Sequence, residues 1–195
     1  RHVQGGDIYA NHIAPLTGFR VAGVLWYQGC NDASTLSTSL DYESQMTALI
    51  NQYRKVFDES TLPFLYVQLA RWSGYQYTQN VRQGQLRTLD NANLRNSANV
   101  AMTVSIDTDK GTSKVIHPLG KDILGARMAA QYEAMVAGKS VPSGPIIESA
   151  THSADKSAIT LSFKDGTADK LQSMKPNYAK SATASVPDYA KTPNA

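Results

Sequence analysis

Leu62 to Ala70 reads LPFLYVQLA, a short and almost unbroken apolar run entered through Pro63. A run of this length, rich in Leu, Val and aromatic residues and without polar alternation, predicts a strand buried on both faces. Such a strand needs a covering layer on each side, so the neighbouring segments should be strands beside it and helices above and below. Phe19 to Tyr27 (FRVAGVLWY) has the same texture and is closed by Gly29, and Asn99 to Asp107 (NVAMTVSID) predicts a third strand.

The intervening stretches have helical spacing. From Leu40 to Phe57, Met46, Leu49, Ile50, Tyr53 and Phe57 recur at three- and four-residue steps, which places them on one stripe of a helix. Asp58 and Pro63 bracket its exit. A polar helix is expected from Gln79 to Leu94. A long one is expected in HPLGKDILGARMAAQYEAMVAGK, His117 to Lys139, with Leu124, Met128, Tyr132, Met135 and Val136 on one face and Gly138 as its stop. Strand, helix, strand, helix, strand, helix is the alternation of a parallel sheet wrapped by helices, whose functional groups gather at the carboxyl ends of the strands.

After Pro142 the texture changes. Ile159, Leu161 and Phe163 alternate with polar residues like a half-buried antiparallel strand, so a second, β-rich unit is expected over 143–195, following an α/β unit over 1–142. The tail, rich in Ala, Ser, Pro and Lys, has little periodicity.

Composition narrows the classes of function. The chain has 195 residues, 42% hydrophobic and 18% charged, which is enough apolar material for a packed core. Lys and Arg number 19 against 16 Asp and Glu, a net charge of +3, and no basic run collects the charge that phosphate neutralisation requires, so no nucleic-acid partner is expected. No apolar run has the roughly 18 residues of a membrane span, and no membrane partner is expected. The single cysteine, Cys30, excludes an internal disulfide and a zinc site of several thiolates. His2, His12, His117 and His152 are scattered without ligand spacing, and no Gly-rich phosphate loop occurs, so neither metal nor cofactor is expected. The chain opens on Arg1 and leads directly into a strand pattern, from which an upstream portion of the protein is expected.

Three loops follow the predicted strands and carry polar, reactive side chains. The first is WYQGCND, Trp26 to Asp32. A Gly next to amide side chains at a strand end can aim a backbone N–H and a side-chain NH₂ at a developing oxyanion, making Gln28, Gly29 and Asn31 candidates. The same residues also suit an ordinary strand-to-helix turn in which Asn31 or Asp32 bonds local backbone. The second is IDTDKGTSKVIHP, Ile106 to Pro118. His117 stands just before a helix, where a neutral imidazole can accept a proton, and Asp107 or Asp109 can orient its ring. A lone histidine at a helix start also fits a structural role, and aspartates are ordinary in turns. The third comprises Gln68, Arg71 and Trp72 with Arg82 and Gln85 of VRQGQL. Aromatic and Arg side chains suit sugar stacking and hydrogen bonding, while Arg82 and Gln85 at helical spacing fit bracing of a helix surface, the reading favoured for Arg82.

Together these segments resemble the sialate O-acetylesterases, members of the SGNH or GDSL-like hydrolases. IAPLTGFRVAGVLWYQG resembles the family block "IAPL … GVIWYQGESNA"; LPFLYVQLA resembles "PFYFVQLA"; VRQGQL resembles "lReaQ"; and IHPLGKDILGARMA resembles "IHPrnKqevGrRLA". They stand in family order over most of residues 8–135, and SGPIIES fits the family's link into a β-sandwich. The resemblance implies a flavodoxin-like three-layer α/β/α fold with a parallel sheet, and removal of acetyl groups from sugars by a serine nucleophile without metal or cofactor. It makes His117 the base and the Gln28–Gly29 block the lining of the oxyanion region. It also implies a secreted, periplasmic or lysosome-like setting.

Three departures from the family are written in the sequence. The Gly-Gln-Ser-Asn type of block that carries the nucleophile is absent from these 195 residues, so an upstream or separate segment is expected to supply it. Cys30 stands where the family has an acidic residue after the Gly, followed by Asn31 and Asp32. Many SGNH enzymes place Asp three residues before the His, where this chain has Lys114, with Val115 beside it, so Asp107 or Asp109 would orient His117 unless serine and histidine work as a dyad. An inactive carbohydrate-binding or structural relic of the same fold is therefore the competing expectation, and Cys30 as a thiol nucleophile is a third.

Overall fold

A computed structural model describes residues 6–72, 74–108, 116–169 and 171. Three parallel strands, β1 (Val24–Trp26), β2 (Phe64–Gln68) and β3 (Val100–Val104), form a sheet in the order β1-β2-β3. Trp26 lies opposite Tyr66 at the end of the first pairing, and Gln68 opposite Val104 at the end of the second. Helix α1 (Leu36–Val56) connects β1 to β2, α2 (Thr78–Thr88) connects β2 to β3, and α3 (Lys121–Val136) follows β3.

The central strand explains the three layers. All five residues of β2 are buried, but its pleat sends alternate side chains to opposite faces. Phe64 and Tyr66 join Val100 and Met102 under α1 and α2, against Tyr42, Met46, Ile50 and Val81. Leu65 and Val67 join Ala101 on the other face, against Leu124, Met128 and Met135 of α3. Each large side chain so enclosed stabilises the fold by about 1.5–3 kcal/mol, which is why β2 must be apolar on both faces. The chain is thus an α/β protein with a parallel sheet between helical layers.

Helices α1 and α2 pack closely on each other. A Cβ at Gly84 would come within 3.2 Å of the Glu43 backbone nitrogen, so the absent side chain permits that approach. Thr35 caps α1, its hydroxyl accepting from the Thr38 N–H at 3.3 Å. At the other end the buried Arg54 guanidinium donates to the carbonyls of Leu62, Arg95, Asn96 and Asn99, tying α1 to the loops that enter β2 and β3.

Several boundaries differ from those the sequence predicts. The strand expected over Phe19 to Tyr27 pairs only at Val24–Trp26, and Phe19 is 68% exposed. Pairing starts where the Val24 N–H reaches the Pro63 carbonyl at 2.8 Å, because the chain before Pro63 turns away through Glu59 and Leu62 and offers residues 19–23 no strand to pair with. Helix α2 ends at Thr88 rather than Leu94, since the Asn91 side chain accepts from the Asn93 N–H at 2.9 Å and closes a turn. Helix α3 begins at Lys121, after Pro118 and Gly120, and its buried stripe passes through Ile123, Leu124, Met128, Gln131 and Met135. Val136, expected on that stripe, is exposed, one residue and about 100° round the helix from Met135.

Beyond α3, β4 (Ile147–His152) and β5 (Ile159–Phe163) pair antiparallel as a ribbon. Ile159 and Leu161, expected to be half-buried, are exposed, as is usual for an isolated two-stranded ribbon with little to pack against. A Lys164–Asp90 ion pair at 2.6 Å links the ribbon to the exit of α2. Residues 172–195 lie outside the described region.

Candidate functional site

The three strands end on one edge of the sheet, and there the loops predicted to carry chemistry begin. After β1, Gly29 takes a φ of +130°, a conformation that disfavours any side chain, and a Cβ there would also stand 3.0 Å from the Tyr42 ring. The chain reverses at this glycine into a short helical turn, Asn31–Ser34, that leads to α1. Gln28 is exposed, and its Nε2 donates to Asp32 at 2.6 Å. Asn31 is also exposed.

Beneath the exposed Gln28 side chain, its backbone carbonyl is held from inside. The Tyr42 hydroxyl donates to it at 2.9 Å and Gln85 Nε2 at 3.3 Å. Gln85 itself is 1% exposed: its Nε2 also donates to the Val67 carbonyl at 3.1 Å, and its Oε1 accepts from the Leu69 N–H at 2.8 Å. Burial pushes the Tyr42 phenol up to about 12, so it remains a neutral donor at ordinary pH. Gln85 therefore points into the strand ends and does not brace a helix surface. The signal available in the sequence was its place with Val81 and Gly84 on the face of α2 that meets α1 and the sheet.

Gln68, the last residue of β2, is buried and both ends of its amide are committed to α2. Its Nε2 donates to the Arg82 carbonyl at 3.0 Å and its Oε1 accepts from the Arg82 guanidinium at 3.1 Å. Arg82 also donates to the Leu69 carbonyl, so it braces the exit of β2 rather than the helix surface. Trp72 packs edge-on against Tyr75 with ring centroids 4.6 Å apart.

The loop after β3 is anchored twice. Ser105 Oγ donates to the Gln68 carbonyl at 2.6 Å, and the Asp107 carboxylate receives two bonds from Arg127 of α3, at 2.9 and 2.7 Å. Asp109 lies outside the described residues. His117 is described and exposed, and three residues later the Gly120 N–H donates to the Thr108 carbonyl at 3.1 Å. Lys121, the first residue of α3, sets its Nζ 4.0 Å from the centre of the Tyr27 ring, so the start of α3 is docked on the residue preceding Gln28. Its ammonium also opposes the effect of burial at Cys30, but burial is the larger influence and pushes the thiol up. A raised thiol is the reverse of what a cysteine nucleophile needs.

Gln28, Gly29, Asn31, Gln68 and Asp107 thus occupy the carboxyl edge of the sheet, with His117 on the segment leading into α3. Tyr42, Ser105 and Lys121 carry no such signal in the sequence, because only packing brings them to this edge, whereas Gln85 is a sequence candidate whose place among the strand ends packing reveals. Among the described residues there is no group of three or more His, Cys, Asp or Glu side chains able to hold a metal ion, and no helix long and apolar enough to cross a membrane.

Residues 3–134 match a family model described as carbohydrate esterase, sialic acid-specific acetylesterase. Among solved structures, a novel carbohydrate acetylesterase from Xanthomonas citri is similar at 31% identity and a TM-score of 0.67, over 80% of this chain and 35% of that protein. The chain therefore spans about a third of that relative's length. A protein from Arabidopsis thaliana is similar at 21% identity and a TM-score of 0.48, over 63% of this chain and 47% of its own. No curated protein sequence matches the chain.

Proposed function

The chain belongs to the sialic acid-specific acetylesterase family of carbohydrate esterases, and from that premise we propose that it forms the base-bearing and oxyanion-lining part of an enzyme that hydrolyses acetyl esters on sugars, sialic acids among them. The observation that carries this reading is the family match itself, which spans the Gln28 turn and His117 alike.

In this reading a serine hydroxyl, supplied by a segment outside these 195 residues, attacks the acetyl carbonyl while His117 takes its proton. The negative charge moves onto the carbonyl oxygen, and the Gln28–Gly29 turn, with Asn31 nearby, donates to it. His117 then gives its proton to the departing sugar oxygen, which leaves as a hydroxyl. It next activates water against the acetyl-serine, releasing acetate and restoring the serine. Asp107 has both oxygens on Arg127, which favours Asp109 as the carboxylate that orients His117. Gln68, committed to Arg82, serves by holding the exit of β2 rather than by touching the sugar. The half-buried Trp72–Tyr75 pair suits stacking against a sugar ring. A secreted, periplasmic or lysosome-like setting accords with such a substrate.

The test is acetate release from O-acetylated sialic acid and from acetylated xylan, using protein that includes the serine-bearing segment. Replacement His117→Ala should lower kcat by about 10³-fold or more. Equal rates in the two proteins would remove the esterase reading and leave the carbohydrate-binding relic.

A further inference from the structure

We infer that Gln85 is a positioning residue that sets the direction of the Gly29 N–H, and the inference rests on the reading of the Gln28–Gly29 turn as the oxyanion lining. The ladder between β1 and β2 stops at Trp26 and Tyr66. Beyond that pair the ladder has ended, and the Gln85 side chain, reaching in from α2, bonds to the backbone of both chains. One amide nitrogen donates to both sides, to Val67 O at 3.1 Å and Gln28 O at 3.3 Å, while the amide oxygen accepts from Leu69 N at 2.8 Å. The Gln85 backbone is fixed in turn, since its carbonyl accepts from the Tyr66 hydroxyl at 2.7 Å.

The consequence follows from peptide geometry. The bond between Gln28 and Gly29 is a planar trans peptide, so the carbonyl of Gln28 and the N–H of Gly29 point in opposite directions. Two buried donors, Gln85 Nε2 and the Tyr42 hydroxyl, hold that carbonyl toward the core. The Gly29 N–H on the same rigid plane is thereby aimed away from the core, toward the edge where the loops meet. Rotation of this plane would cost the carbonyl both of these donors. Only a primary amide of this length meets the three demands at once, because a carboxylate lacks the two donor hydrogens and an apolar side chain lacks all three contacts.

The experiment compares Gln85→Glu, which keeps the size, and Gln85→Met with Gln131→Met. Gln131 is a second buried glutamine, bonded to Met102 O at 3.0 Å and Pro142 O at 2.8 Å under α3. In the enzyme with its serine-bearing segment, both Gln85 variants should lose about 100-fold in kcat with KM within about threefold, as for a lost oxyanion donor. Gln131→Met should lower stability but keep kcat within about twofold. The activity of Gln85→Glu relative to the parent should rise as pH falls, because the protonated carboxyl regains one donor hydrogen. In this chain alone, the Gly29 amide signal in a ¹H–¹⁵N spectrum should shift and its hydrogen exchange should change in Gln85→Glu, and not in Gln131→Met. A folded Gln85→Glu protein with an unmoved Gly29 signal, a kcat within twofold of the parent, or an equal kcat loss in Gln131→Met overturns the inference. Should His117→Ala leave acetate release intact, the esterase reading fails instead, and the Gly29 signal still decides whether Gln85 sets the turn.

Discussion

Asp107 and Arg127 meet through two hydrogen bonds, 2.9 and 2.7 Å long, with the arginine side chain 9% exposed and the aspartate 20%. Arg127 also donates to the Val104 carbonyl at 2.8 Å, so the pair fastens α3 to the carboxyl end of β3. Removing the guanidinium leaves a mostly buried carboxylate without its counter-charge. Arg127→Met should therefore destabilise the protein by about 2–3 kcal/mol, less than the cost of breaking a fully buried pair because the aspartate keeps some solvent. Urea unfolding should show a lower midpoint at unchanged slope.

The same pair separates two assignments for the acidic partner of His117. With Asp107 held by Arg127, Asp107→Asn should lower kcat for acetate release by less than about tenfold, whereas loss of a true orienting carboxylate costs about 10⁴-fold. Asp109→Asn should produce the large loss. Steady-state kinetics on the two variants, measured with the serine-bearing segment present, reads the difference directly.

Gly29 adopts a backbone conformation that no other residue type accepts easily. Its φ of +130° disfavours a Cβ, and the Tyr42 ring stands 3.0 Å from where that atom would be. Gly29→Ala should cost about 1–3 kcal/mol of stability and should reduce kcat as well, because relief of the strain turns the Gln28–Gly29 peptide. Thermal unfolding and acetate release on one sample check both effects.

Arg54 offers a purely structural contrast. It is 4% exposed and gives hydrogen bonds to carbonyls at Leu62, Arg95, Asn96 and Asn99. These lie where the chain enters β2 and β3, at the opposite end of the sheet from the Gln28 turn. Arg54→Met should destabilise by about 3 kcal/mol through carbonyls left without donors, while kcat in the folded fraction stays unchanged. Denaturation and kinetics together test the separation.

Tyr42 predicts an alkaline limit on stability. Burial pushes its phenol from 10.0 up to about 12, so the folded state holds the proton more tightly than the unfolded chain does. Its contribution is complete below pH 10 and is lost as pH rises through about 12. The melting temperature should fall over that window, and Tyr42→Phe should remove part of this fall at the expense of the Gln28 carbonyl bond, the rest coming from Tyr27, Tyr53 and Tyr66, whose phenols burial also pushes up.

Local pattern made β2 and the three helices legible. Four consecutive buried apolar residues, Phe64 to Val67, leave an unbroken apolar run, and one buried stripe leaves three- and four-residue steps, whatever the rest of the chain does. Boundaries were less legible where a partner sets them: Phe19 looks like strand until Pro63 fails to extend the ladder. Val136 looks like core until Met135 takes the inward position.

Sequence by itself determined the α/β alternation, the two-faced burial of the central strand, the family, and the candidacy of the Gln28 turn and His117. Those features reside in residue type and spacing along a short stretch. Tertiary structure decided which polar groups are occupied: Asp107 by Arg127, Gln68 by Arg82, and the Gln28 carbonyl by Tyr42 and Gln85. These partners stand 14 to 57 residues apart, and a hydrogen bond depends on ångström distances and angles that exist only once the helices have packed against the sheet.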